Sequence, residues 1–166
     1  DEPSMADYLS PDDQQHIVSS FACSDHVITV ANYINRNDYV DYNGELVNTG
    51  AETGSIANTS SHGPSRTGLQ KPDIAASGSI TLSAGDFDIL AGLIATEPFK
   101  VAQGGLHHRN AGTSMASPVV AGAAALFLEQ CPGSNWQDFR DAIHAHGQSD
   151  LYTGVVPSAT WGHGKL

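Results

Sequence analysis

Positive charge is scarce in this 166-residue chain, with 7 Lys+Arg against 18 Asp+Glu. That balance argues against a nucleic-acid partner, because phosphate contacts need Lys and Arg. Cysteine is nearly absent as well. Cys23 and Cys131 stand far apart, so they permit one disulfide without requiring it, and no C-x-x-C pair offers a metal site. Long apolar runs are missing too. The longest, residues 119–128, is rich in Ala and Gly and reads as a buried helix rather than a membrane span. No leader-like segment stands at the start, and the chain opens on Asp1 instead of Met. Asp1 is therefore expected to begin a processed chain or a cleavage product.

What is present suits one domain with a real core. The acid is uneven. Nine Asp/Glu (1, 2, 7, 12, 13, 25, 38, 41 and 45) and a single Arg36 lie in residues 1–50. The simplest reading is a solvated, solubilising surface. A calcium-rich surface is the sharper one, although no D-x-D-x-D-G loop occurs. Residues 1–15 are acidic and carry no clear element, with a short strand expected at 16–18. Residues 27–30 form a β-branched run that predicts a buried strand suited to a parallel sheet. Asn43-Gly44, between 39–40 and 45–47, predicts a surface hairpin. Strands are expected at 73–75 and 80–82, and a short helix at 87–94.

The stretch Gly112-Thr113-Ser114-Met115-Ala116-Ser117-Pro118 opens a helix expected to run to about Glu129. Proline lacks an N–H, which places Pro118 in the first turn, with Thr113 able to cap. Small residues all round predict a helix packed on several sides. Cys131-Pro132-Gly133 ends it. Ser134 can cap the next helix, 135–146, whose buried face would be Trp136, Phe139, Ala142 and Ile143. Residues 161–166 read as a strand broken off at its end.

Ser114 at a helix start has two readings. It is a first-turn or capping residue, or it is a nucleophile whose own N–H faces a developing oxyanion. The longer stretch from Gly112 through Pro118-Val119-Val120-Ala121-Gly122-Ala123-Ala124-Ala125-Leu126 closely resembles the nucleophile motif of the subtilisin-like serine proteases (subtilases, peptidase family S8). Four further segments are similar to that family in the same order: Val27-Ile28-Thr29-Val30-Ala31, Thr59-Ser60-Ser61-His62-Gly63-Pro64, Lys71-Pro72-Asp73-Ile74-Ala75-Ala76-Ser77-Gly78 and Trp161-Gly162-His163-Gly164-Lys165-Leu166. Ser77 departs from the proline usual there. The resemblance covers about residues 16–166 and implies a doubly wound, mainly parallel α/β sheet of the subtilisin-like fold, incomplete in this chain.

It also implies that Ser114 is the nucleophile, that Gly112, Thr113, Ser114 and Met115 form the nucleophile and oxyanion motif, and that the substrate is a polypeptide. Met115 would then lie beside the reacting group, open to oxidation. The motifs implied for the other catalytic groups, D-[ST]-G, H-G-T and A-G-N, are all absent. Three His-Gly pairs occur, at His62, His146 and His163, and none continues with Thr. His107 and His108 are near Ser114 only along the chain. The expectation is a C-terminal portion of a subtilase catalytic domain, partnered by an N-terminal half and inactive alone. It would be a fragment, one half of a split enzyme, or a non-catalytic scaffold or binding module. No cofactor is required. Structural calcium is a family habit, and Asp73 aligns with a weak cation site in some members. Secretion follows from the resemblance, not from a signal.

Overall fold

A computed structural model describes residues 15–166, so the readings for residues 1–14 lie outside the described part. At its centre two strands, β1 (Val30–Ile34) and β4 (Ile74–Ser79), run parallel, with Val30 opposite Ile74 and Ala31 opposite Ala75. Residues 161–166 continue this layer beyond β4. Ala75 donates to the Gly164 carbonyl at 2.8 Å, and Leu166 donates to the Ala75 carbonyl at 2.8 Å. Those residues form bridges rather than the expected strand, because Gly162 and Gly164 take φ of 58° and 115° and break the extended run.

β1 begins three residues later than the run of β-branched residues suggested. The Thr29 N–H is spent on the Asp73 side chain, at 2.7 Å, and not on a ladder bond. The predicted strand at 16–18 is absent too, although His16 and Ile17 do donate to the carbonyls of Gly63 and His62. β2 (Asp38–Val40) and β3 (Leu46–Asn48) form the expected hairpin, turned by Asp41, whose carboxylate accepts the N–H groups of Asn43 and Glu45. β5 (Thr81–Ala84) and β6 (His107–Asn110) form a second antiparallel pair. Between them lies α1 (Phe87–Thr96), capped by the Asp86 side chain.

The main core lies between the parallel pair and two helices, α2 (Thr113–Gln130) and α3 (Trp136–His146). Ile74, Ala76, Ala116, Val120, Phe139 and Ile143 pack together there. Burying a side chain such as Phe139 or Ile143 contributes about 1.5–3 kcal/mol. Trp136 and Ala142, expected on the same face, are half-buried. The cap of α3 is Asn135, not Ser134. Asn135 Oδ1 accepts from Gln137 and Asp138, and Asp138 answers with a bond from the Asn135 N–H, a reciprocal capping box.

α2 departs from expectation in three ways. Its cap is Gly112, with no side-chain cap bond, and Thr113 is already helical. Pro118 therefore stands in the second turn, where its missing N–H releases the Ser114 carbonyl from the helical ladder. And α2 is covered on one side only. Ala116 and Val120 are buried, whereas Val119, Leu126 and Leu128 are exposed. The small residues that predicted close packing all round meet β1, β4 and α3 on one face, while the opposite face is exposed.

Candidate active site

Ser114 is the second residue of α2 and is exposed. The turn before it is set by Gly112, whose φ of 128° lies where a side chain is strained. A Cβ on Gly112 would meet little, so its backbone angle, not space, calls for glycine. Gly78, at the end of β4, has the opposite need. A Cβ there would collide with Asn32 Oδ1 and lie 2.6 Å from the Gly112 carbonyl oxygen and 2.8 Å from the Ala116 nitrogen. The Gly112 N–H donates to the Gly78 carbonyl at 3.0 Å. Two glycines thus clamp the start of α2 onto the carboxyl end of β4, where sites form in open α/β sheets.

The first helical bonds are those of Met115 and Ala116, which both donate to the Gly112 carbonyl, at 2.9 and 3.3 Å. The N–H groups of Thr113 and Ser114 precede them and have no partner among the described residues. The Ser114 N–H is therefore free to donate to an anion, aided by the positive end of the helix dipole. Ser114 and Met115 border a cavity of about 310 Å3 whose other walls are Thr81, Ser83, Pro118 and Val119.

Among the described residues no base bonds this hydroxyl. All eight histidines lie in the described residues, none lines the cavity, and none bonds Ser114. His62 is a half-buried loop residue whose carbonyl accepts from Ile17. His107 and His108 are on β6, and the His108 ring lies within 3.4 Å of the Asn110 amide nitrogen. His146 is exposed at the end of α3. His163 stacks on His144, with ring centroids 3.8 Å apart.

Asp73 is engaged elsewhere. Its Oδ2 lies 2.7 Å from Lys71 Nζ and accepts the Thr29 N–H, while its Oδ1 is 3.3 Å from His144 Nε2. An ammonium stands where a cation would bind, so these residues do not fit calcium. Among the described residues no three His, Cys, Asp or Glu side chains gather as a metal site. Both cysteines are free thiols. Two residues of this region were not singled out as site residues from sequence, Gly78 and Asn32. Asn32 is fully buried in β1, donates from Nδ2 to Ser79 Oγ at 2.9 Å, and leaves Oδ1 without a partner. A polar residue at a buried position of a parallel strand was the one available signal.

The model of the Subtilase family (Peptidase S8) matches residues 10–162. No curated protein matches. Among solved structures the chain is similar to the CspB protease of Clostridium perfringens, with a TM-score of 0.62 and 19% identity. That likeness covers 92% of this chain and 27% of the other, so the chain spans about a quarter of that protein's length. The parallel pair and the helices of this chain are consistent with an incomplete subtilisin-like fold. With the family model matched over most of its length, the chain belongs to the Subtilase family.

Proposed function

We propose that Ser114 is the nucleophile of a serine endopeptidase of which this chain forms one part. Ser114 Oγ attacks a peptide carbonyl carbon and passes its proton to a base. The tetrahedral oxyanion takes a hydrogen bond from the Ser114 N–H. The C–N bond then breaks, the amine leaves with the proton, and water hydrolyses the acyl-enzyme. The free N–H of Ser114, held at a helix start clamped by Gly78 and Gly112, carries this reading.

The base, its carboxylate partner and a second oxyanion donor come from the remainder of the catalytic domain. We assign its seat to the outer edge of β1 and the bare face of α2. Asn32 and Ile34 use that edge to pair with residues 54–60, and strand alternation turns the peptide groups of Ile28 and Val30 the same way, without partners among the described residues. Beside them lies an apolar groove of about 360 Å3 walled by Val120, Ala124, Leu128, Trp136 and Phe139. The chemistry needs no cofactor, and an extracellular setting accords with the family. Alone, the chain would hydrolyse peptides negligibly.

A second reading is a non-catalytic scaffold, favoured by the absence of any histidine at Ser114. Peptide hydrolysis by the intact protein and by its Ser114→Ala variant separates the two. Loss of turnover in the variant supports the peptidase; equal turnover in both refutes it.

A further inference from the structure

Away from Ser114, four segments meet at one buried charge cluster. Lys71 and Asp73, in the approach to β4, are buried and paired at 2.7 Å. Residues 27–29 close over them, with the Val27 carbonyl accepting from Lys71 Nζ and the Thr29 N–H donating to Asp73. α3 contributes His144, with Nε2 3.3 Å from Asp73 Oδ1. The C-terminal segment contributes His163, whose ring lies face to face with His144 at 3.8 Å and 6°. The same residue holds the segment to β4, since its N–H donates to the Asp73 carbonyl at 2.9 Å. The other cation of the segment, Lys165, points away to Asp150 and the Gly54 carbonyl.

The charge tally is what matters. The Asp73 carboxylate is already neutralised by Lys71. One proton on the histidine pair leaves the cluster with a net positive charge in a partly buried setting. A second proton sets two imidazolium rings face to face at stacking distance, with no further carboxylate among the groups facing them.

We propose that the His144–His163 stack is an acid-sensitive latch, closed when both rings are neutral and releasing residues 161–166 from β4 when the pair is protonated. In the closed form burial, and then the neighbouring His144, hold the His163 imidazole below its ordinary value of 6.5, with Asp73 opposing weakly. The sign follows. A base that is harder to protonate in the closed form favours closure above pH 6.5 and loses it as pH falls below that value. One linked proton makes the opening equilibrium rise as pH falls below 6.5, by at most about tenfold per pH unit, until the closed form itself takes up the proton.

Hydrogen exchange of the intact protein between pH 7 and 5, corrected for intrinsic rates, tests this. Protection of a peptide covering residues 161–166 should fall as pH drops below 6.5, by no more than about tenfold per pH unit, while a peptide covering β2 and β3 holds its protection. His163→Gln should flatten the response. His144→Gln, which leaves His163 a neutral neighbour, should reduce its total span and serves if the first variant does not fold. Equal loss in both peptides, a flat wild-type profile, or an unchanged response in the variants would overturn the latch.

Discussion

Replacing Gly78 by alanine tests the clamp that aims Ser114. The added Cβ would fall 2.6 Å from the Gly112 carbonyl oxygen and 2.8 Å from the Ala116 nitrogen, and onto the Asn32 side chain. Two of these neighbours are backbone atoms of the turn before α2 and its first turn, which cannot rotate away. Overpacking of this kind costs about 1–3 kcal/mol, and rigid backbone neighbours put Gly78→Ala near about 3 kcal/mol. For a domain of this size each kcal/mol moves the midpoint by about 2–4 °C, so Tm should drop by about 6–12 °C. Gly122→Ala in the same chain is the control. A Cβ there meets nothing within 4 Å, and alanine suits a helix interior better than glycine by about 0.8–1.0 kcal/mol. Its Tm should hold or rise. Thermal unfolding followed by circular dichroism reads both. Gly78→Ala melting within a degree of wild type would refute the close approach of β4 to α2.

Lys71→Met should destabilise by about 3–5 kcal/mol, because it strands the Asp73 carboxylate in a buried site; the denaturant midpoint checks this, and a loss under about 1 kcal/mol contradicts it. Asn135→Ala removes the acceptor of the α3 capping box and should cost about 1 kcal/mol, whereas Ser134→Ala should cost almost nothing. Equal effects at the two positions would restore Ser134 as the cap.

Local chemistry made much of this fold legible before any coordinates. Asn43-Gly44 marked its hairpin, and the motif from Gly112 to Leu126 marked α2 and the family. Where several residues compete for one local role, the sequence misled. Thr113 and Ser134 are good caps by type, yet Gly112 and Asn135 hold those positions because the backbone turns one residue away. Pro118 was assigned to the first turn by its missing N–H, but the fold tolerates it in the second. The bare face of α2 was illegible for another reason. Small residues signal close packing, and only coordinates reveal which neighbours lie within this chain. The clusters at Asn32–Gly78–Gly112 and at Asp73–His144–His163 join residues far apart in sequence, and no periodicity records such meetings.

The most direct measurement is active-site labelling. The intact protein is treated with a fluorophosphonate at neutral pH, digested, and the modified residue mapped by mass spectrometry. The account predicts a single label on Ser114, and no uptake by residues 1–166 alone, where no histidine lines the Ser114 cavity. A label on another serine of the intact protein, or none at all, would contradict it.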